Sequence, residues 1–222
     1  MVIFLYFEYG DDEINYLKSK DRALGVAIDK IGHINREVDI ELFSSVVHHI
    51  IGQQISTTAQ ATIWKRMNEA LDEVTAETIC GTDINKLQRF GITFKKAEYI
   101  KDFADRVQSG EFNIEELNDK SDEEVIAELS ALKGIGVWTA EMIMIFCMQR
   151  QDVMSYGDLA IHRGLRMLYH HRNVDKIKFE KYRRRYSPYG TVASLYLWAI
   201  AGGAIDEMKD YAPRRKSTQK KK

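Results

Sequence analysis

Two short segments of this 222-residue chain carry residues that could perform chemistry together. The first covers residues 132–140 and reads LKGIGVWTA, so two glycines flank one apolar residue where a helix is expected to begin. Backbone N–H groups at such a helix start can surround a phosphate, and the helix dipole also favours an anion there. The second is a turn at residues 155–158, which places the carboxylate of Asp158 one helix length further along. A glycine pair also occurs in tight turns that bind nothing, so both interpretations of Gly134 and Gly136 stay open.

The composition limits the classes of function. With 45% hydrophobic residues, the chain can bury a core in one large domain or two small ones. Its net charge is −1, so any affinity for nucleic acid must come from a local surface. Cys80 and Cys147 are too few and too far apart for a zinc site or an iron–sulfur cluster, and we expect reduced structural thiols. The apolar run at residues 2–7 is too short to span a bilayer, so we expect a cytoplasmic protein with no membrane partner.

The spacing of apolar residues predicts an almost entirely helical fold. Apolar side chains recur at three and four residues, only two prolines occur, and strand signals are confined to residues 2–7. Capping residues and glycines predict the limits of the helices. The predicted helices cover residues 43–51, 56–71, 83–90, 94–107, 137–148, 159–169 and 189–200.

A helix–hairpin–helix surrounds the glycine pair. Ser121 and Glu124 form a capping-box pattern, so a helix is expected to run directly into the glycines and a second helix to leave them, over residues 121–148 in total. Asp158 has the right chemistry to cap the helix that follows it. A cap and a catalytic carboxylate are both compatible with this position, because capping would hold the side chain in place.

These motifs resemble the helix–hairpin–helix DNA glycosylase superfamily, and most closely its AlkA-like 3-methyladenine branch. In that branch an L-x-G-I-G-x-W-T-A hairpin precedes a catalytic aspartate. The resemblance covers about residues 41–199. It also rests on the segments IIGQQIS at residues 50–56, FGI at 90–92, KKAE at 95–98, SPY at 187–189 and YLW at 196–198.

The resemblance implies an all-α, two-lobed fold with the active-site cleft between the lobes and without the N-terminal β-rich domain of AlkA. Residues 1–35 together with 153–212 would form one lobe. Residues 36–152 would form a helical barrel lobe that contains the hairpin. The basic residues 213–222 are expected to be a disordered tail.

The implied activity is that of a monofunctional DNA glycosylase of base excision repair. Such an enzyme flips an alkylated purine such as 3-methyladenine out of double-stranded DNA and hydrolyses its N-glycosidic bond, which leaves an abasic site. Asp158 is the implied catalytic residue, because a carboxylate beside the sugar stabilises an oxocarbenium-like transition state and helps to activate water. Bifunctional relatives carry a lysine where this chain has Trp138, so no strand cleavage is expected.

Two other functions remain compatible with these residues. The lesion could instead be a deaminated or mismatched base. The chain could also be a helix–hairpin–helix module that binds DNA without catalysis, in which case Asp158 would serve only as a helix cap.

The implied base pocket contains Trp138, Trp198 and Met142. An aromatic wall stacks on a positively charged alkylated purine and attracts its charge. Either tryptophan could instead be ordinary core. Met142 stands where AlkA has a tyrosine, which retains apolar contact but removes a ring.

The resemblance also implies DNA contacts. Gln54 matches the wedge that fills the space left by a flipped base, although Gln53 and Gln54 could instead cap neighbouring backbone. Lys133 could contact phosphate or be a solvated surface lysine. The implied DNA-binding residues are Gln53, Gln54, Lys133, Gly134, Ile135, Gly136 and Thr139.

One inorganic ion is implied. Hairpins of this family commonly hold a monovalent cation through main-chain carbonyls, which here would be those of Ser130, Leu132 and Ile135. A structural Na⁺ or K⁺ is therefore expected there, while no cofactor is required for catalysis and no iron–sulfur cluster is expected. The expected partner is double-stranded DNA that contains damaged bases, and the protein is expected to act as a monomer.

Overall fold

The computed structural model describes residues 5–213, and within them the protein is almost entirely helical, as predicted. The two strands are β1 (Leu5–Tyr6) and β2 (Glu37–Val38), which pair as a two-stranded sheet. A 3₁₀-helix covers Glu115–Asp119. The α-helices are α1 (Asp11–Lys20), α2 (Arg22–Ile31), α3 (Leu42–Gly52), α4 (Thr57–Leu71), α5 (Ala76–Cys80), α6 (Ile84–Arg89), α7 (Phe94–Ser109), α8 (Asp122–Ala131), α9 (Val137–Phe146), α10 (Leu159–Tyr169), α11 (Lys176–Tyr186) and α12 (Gly190–Ala201).

The limits of the predicted helices agree with the structure to within one or two residues, whereas α1, α2, α5 and α11 were not predicted. Two further differences have clear causes. Strand β2 was not predicted, because two residues are too few to show the alternation of apolar and polar residues that indicates a strand. Its partner β1 also lies far away in the chain, so no local turn indicates the pairing. Helix α9 ends at Phe146 rather than 148, where the amide of Met148 donates to the carbonyl of Ile143. The predicted basic tail lies, apart from Pro213, outside the described residues.

The chain forms two compact units. Of the described residues, the first unit contains Leu5 and residues 37–149, and the second contains residues 6–36 and 150–213. The second unit is thus built from two separate stretches of chain. Among residues 5–213, no helix is both long and apolar enough to cross a membrane.

The core of the first unit forms around α3 and α7. Helix α7 buries Ala97, Ile100, Phe103 and Ala104 along one side, which is the stripe expected from their three- and four-residue spacing. The ring of Phe103 stacks on that of Phe43, with 4.9 Å between ring centroids. Burial of each large apolar side chain contributes roughly 1.5–3 kcal/mol, so this stripe fixes α7 against α3.

The core of the second unit forms between α10 and α12. A Cβ at Gly164 would lie only 2.3 Å from the carbonyl oxygen of Leu197, so glycine is required where these two helices meet. Tyr186 and Tyr196 are almost completely buried in the same unit. The close packing holds the start of α10, where Asp158 lies, on a rigid support.

Candidate active site and hairpin

The glycine turn lies between two well-defined helices, which confirms the predicted helix–hairpin–helix. Helix α8 begins with a capping box, in which Ser121 Oγ accepts the amide of Glu124 at 3.3 Å and the Glu124 carboxylate accepts the amide of Ser121 at 2.9 Å. It ends at Ala131, and α9 begins at Val137 after the turn. Reciprocal capping fixes where α8 starts, and so sets where its last turn meets the hairpin.

Gly134 is required by the fold of the first unit. Its φ is +84°, in the left-handed region that residues with a Cβ rarely adopt. A Cβ there would also lie 2.3 Å from Cδ2 of Tyr99 on α7. The amide of Ile135 donates to the carbonyl of Leu132 at 3.1 Å and closes the turn.

Gly136, in contrast, is not required by packing. Its φ is −98°, and a Cβ built on it meets nothing within 4 Å. It is the N-cap of α9, and Val137 and Trp138 in the first turn are exposed. The start of α9 is therefore open to solvent, and glycine there lets an anion approach the helix amides closely.

The predicted pocket and contact residues of the hairpin turn and α9 differ in exposure. Trp138 is 46% exposed, so it is not an ordinary core side chain, whereas Met142 one turn later is only 4% exposed. The two share a side of the helix. Ile135 and Thr139 are both buried, so a contact from either residue to DNA would use main-chain atoms.

Lys133 projects from the hairpin and pairs with α7. Its amino group forms an ion pair with Asp102, which also pairs with Arg106 at 3.3 Å. The Lys133 side chain remains 59% exposed. Exposed pairs of this kind are weak, so a phosphate could compete for the lysine.

Gln53 and Gln54 lie in the connection between α3 and α4. The amide of Gln53 donates to the carbonyl of Gly134 at 2.7 Å, so its side chain does bond to neighbouring backbone. Gln54 is exposed and has a φ of +58°. A role in DNA binding for either glutamine stays a prediction.

The end of α8 suits the expected monovalent cation. Ser130 lies in the last turn of α8, where carbonyls lack helical partners and the helix dipole favours a cation. Its buried hydroxyl oxygen has no hydrogen-bond partner in the structure. The carbonyl of Leu132 accepts the amide of Ile135 and retains a second lone pair. With the Ile135 carbonyl, these are neutral oxygens of the kind that bind Na⁺ or K⁺, and a cation held by the carbonyls of Ser130, Leu132 and Ile135 stays a prediction.

Asp158 is the N-cap of α10, as predicted. Its Oδ1 accepts the amides of Ala160 at 2.8 Å and Ile161 at 2.9 Å, and the residue is 7% exposed. Two charge-assisted bonds to one oxygen fix the orientation of the carboxylate. Trp198 is half-buried on α12 of the same unit.

The chain that leads to Asp158 is fastened to the start of α12. Thr191 Oγ1 donates to the carbonyl of Arg150 at 2.6 Å and accepts the amide of Val153 at 3.0 Å. Ser194 Oγ lies 3.2 Å from the carbonyl of Val153. Both hydroxyls are completely buried, so they fix this connection inside the second unit.

Comparison with known proteins identifies the family. Residues 47–188 match the family model described as HhH-GPD superfamily base excision DNA repair protein. This chain belongs to that superfamily.

Individual HhH-GPD proteins resemble the chain over most of its length. DNA-3-methyladenine glycosylase 1 of Schizosaccharomyces pombe is 32% identical over 183 residues, which cover 79% of this chain and 78% of that protein. DNA-3-methyladenine glycosylase 2 of Escherichia coli is 24% identical over 179 residues, which cover 76% of this chain and 61% of that protein.

Solved structures give the same result. The DNA-3-methyladenine glycosidase of Bacillus halodurans superposes with a TM-score of 0.81 at 31% identity, over 95% of this chain and 97% of that one. The Schizosaccharomyces pombe enzyme Mag1, solved in complex with abasic DNA, has a TM-score of 0.75 at 27% identity, over 86% and 97% of the two chains. The HhH-GPD fold expected from the sequence is thereby confirmed.

Some residues of this HhH-GPD chain had no role in the sequence interpretation. Lys96 was part of a matching segment, yet nothing indicated that its amino group reaches the end of α3. The sequence also did not indicate that Thr191 and Ser194 bond to residues that precede them by 38 to 41 positions. The sequence shows only that Thr191 and Ser194 lie three residues apart near the start of α12. Because many helices begin in this way, the spacing did not indicate their hydrogen bonds.

Proposed function

We propose that this protein is a monofunctional DNA glycosylase that removes alkylated purines such as 3-methyladenine from double-stranded DNA. The observation that carries the proposal is the carboxylate of Asp158, buried and fixed at the start of α10 in an HhH-GPD chain. Relatives named DNA-3-methyladenine glycosylase support the lesion class.

The chemistry needs one well-placed carboxylate. Alkylation at a ring nitrogen gives the purine a positive charge, so the base leaves as a neutral molecule and takes the electron pair of the N-glycosidic bond. Asp158 stabilises the positive charge that develops on the sugar. Water then adds to C1′ and loses a proton, which leaves an abasic site in an intact strand. Because Trp138 stands where bifunctional relatives have a lysine, no amine is present there to form a Schiff base.

The same proposal assigns recognition to aromatic and main-chain groups. Trp138 and Trp198 stack on the cationic base and Met142 adds apolar contact. The open start of α9 binds a DNA phosphate, Lys133 adds charge, and Gln54 fills the space that the flipped base leaves. A monovalent cation at the carbonyls of Ser130, Leu132 and Ile135 stiffens the turn. The protein acts as a monomer in the cytoplasm, on the chromosomal DNA.

Substitution of Asp158 by asparagine tests the catalytic role. Asparagine caps helices as well as aspartate does, so Asp158→Asn should fold normally and bind damaged duplex with unchanged affinity. We expect release of 3-methyladenine to fall by about 10²–10³-fold, the usual effect of removing one electrostatic stabiliser. Base release is measured by chromatography under single-turnover conditions and affinity by fluorescence anisotropy. Release at the wild-type rate would refute the mechanism.

A panel of duplexes tests the lesion class. Wild-type protein is incubated with duplexes that contain 3-methyladenine, uracil or hypoxanthine, and abasic sites are revealed by alkali. Preferential excision of uracil or hypoxanthine would reject alkylpurine specificity, and strand cleavage before alkali would reject monofunctional chemistry. Tight binding with no excision of any base would mean that the protein is a DNA-binding module without catalysis.

A further inference from the structure

The connection between α3 and α4 holds one exposed residue in a strained backbone. Gln54 has a φ of +58° and its side chain is exposed. The left-handed conformation costs a residue with a Cβ about 1–2 kcal/mol, so neighbouring contacts must maintain it. Strain of this kind clusters at functional sites, where the surrounding structure maintains it.

Lys96 holds the chain immediately before Gln54. Its amino group on α7 donates to the carbonyl of Ile51 at 2.8 Å and to the carbonyl of Gln53 at 2.6 Å. These carbonyls belong to the last turn and the C-cap of α3, where helical partners are lacking and the helix dipole favours a cation. Burial lowers the pKa of the Lys96 amino group, so this charge is kept partly desolvated beside the carbonyls.

Gln53 fastens the same connection to the hairpin. Its side-chain amide donates to the carbonyl of Gly134 at 2.7 Å, across 81 residues of sequence. Gly134 is itself fixed by its left-handed backbone and by the ring of Tyr99. The residue adjacent to Gln54 is therefore bonded to the turn that precedes the open start of α9.

We propose that Lys96 and Gln53 are positioning residues that hold Gln54, the wedge, at a fixed place relative to the hairpin turn. This inference rests on the proposed function, because it assigns Gln54 a task that only a base-flipping enzyme needs. Phosphate binding at α9 then determines where Gln54 enters the duplex. Extrusion of a base requires a few kcal/mol, so a wedge displaced by even 1 Å would compensate less of it.

Wedge insertion can be measured without base release. A duplex carries 2-aminopurine beside an abasic-site analogue, and insertion of a side chain unstacks the probe and raises its fluorescence. Lys96→Met and Gln53→Met each remove the donor but keep an unbranched side chain. We expect the fluorescence increase to fall by about fivefold in each, while the affinity of Lys96→Met for undamaged duplex stays within about twofold of wild type. Lys96→Arg keeps the cation and should restore most of the increase.

A double-mutant cycle tests whether the two residues act through Gln54. In a Gln54→Ala background, Lys96→Met should produce no further loss of fluorescence. Single-turnover release of a paired lesion should fall by about tenfold in Lys96→Met, but by less than about twofold when the lesion lies in an unpaired bulge that needs no flipping.

The outcomes separate this inference from the proposed function. Additive effects of Lys96→Met and Gln54→Ala, or equal losses on paired and bulged lesions, would overturn the inference. If the wild-type protein releases base and both methionine variants show the full fluorescence increase, the inference fails while the proposed function stands. Fluorescence changes as expected in a wild-type protein that releases no base would overturn the proposed function alone. Gln53→Met supplies the result if Lys96→Met does not fold.

Discussion

At the scale of single residues, the two glycines of the hairpin have different reasons to be glycine. Gly134 is demanded by its backbone conformation and by Tyr99, whereas Gly136 has open space where a side chain would lie. A sequence presents them as one motif. The structure indicates that the first serves the fold and the second leaves room for a ligand.

Substitutions at these glycines should therefore act on different properties. Gly134→Ala should lower the free energy of unfolding by about 1–3 kcal/mol, because the left-handed backbone and the contact with Tyr99 are both disturbed. Gly136→Asp should leave stability unchanged, since aspartate is a good N-cap, but should weaken DNA binding by about tenfold because its charge repels phosphate. Gly136→Asn is the neutral control and should bind more tightly than Gly136→Asp. Urea unfolding and anisotropy titrations measure the two effects, and equal affinities of the two variants would contradict a phosphate at α9.

The exposed ring of Trp138 gives a second prediction at this scale. Because Trp138 is 46% exposed, Trp138→Ala should change the melting temperature little. Stacking of a base on an aromatic ring contributes about 1–3 kcal/mol. Its loss should reduce kcat/KM for 3-methyladenine by roughly 5- to 150-fold. Trp138→Phe keeps an aromatic face and should retain most activity. A large loss of stability with unchanged kcat/KM would instead make Trp138 a packing residue.

At the scale of elements, helix α3 carries two adjacent histidines, and the pKa of each is lowered. Burial lowers the pKa of both His48 and His49 below the ordinary value, and the neighbouring His49 lowers that of His48 further. His49 donates from Nδ1 to the carbonyl of Ser45 at 2.8 Å, a bond that opposes the shift, and Asp39 opposes it for both. Protonation is thus easier in the unfolded chain than in α3.

The sign of the pH dependence follows from this. Below the unfolded pKa of about 6.5 the unfolded chain binds more protons than the folded protein, so the free energy of unfolding should fall as pH decreases from there towards the lower folded pKa. Above it, these histidines contribute no pH dependence. Urea midpoints at about pH 7.5 and about pH 5.5 measure the effect. His49→Gln should show a smaller difference between the two midpoints, and an equally large difference would assign it to other groups.

The elements also show what a sequence can and cannot predict. The helices capped by Ser121 and Asp158 were predicted closely, because these side chains bond to amides two or three residues away. Helices α2, α5 and α11 begin with side-chain caps of the same kind and were not predicted. Capping of this kind depends on residues that are close in the sequence, so a sequence pattern can predict it. The left-handed backbone of Gln54 could not be predicted, since the contacts that hold its connection come from distant residues. Lys96 lies more than 40 residues further along, and Gly134 lies 81 residues from its partner Gln53. The candidate carboxylate was thus identifiable, while the residues that position Gln54 were not.

At the scale of the whole molecule, charge gives little help with DNA. The net charge is −1, so long-range attraction to a polyanion is absent and binding must depend on a few local contacts. A small number of phosphate contacts gives a shallow dependence of affinity on salt. This makes the contribution of one lysine measurable.

Lys133 is the lysine to test. If it contacts phosphate, Lys133→Ala should reduce the slope of log affinity against log salt by about one unit, equally for all sequences. Anisotropy titrations over a range of salt concentrations measure the slope. Asp102→Asn, which removes its ion-pair partner, should leave the slope unchanged and strengthen binding slightly. An unaltered slope in Lys133→Ala would mean that the residue is a solvated surface lysine.

The division of the chain also sets an order of events during synthesis. Residues 37–149 of the first unit leave the ribosome before residues 150–213, which the second unit needs to complete its core. Compact units generally fold as they emerge. The hairpin can therefore be finished while residues 6–36 still wait for α10 and α12. A nascent chain that has emerged only as far as residue 149 would already possess the expected DNA-binding hairpin but would not yet expose Asp158, so it could bind DNA without acting on it.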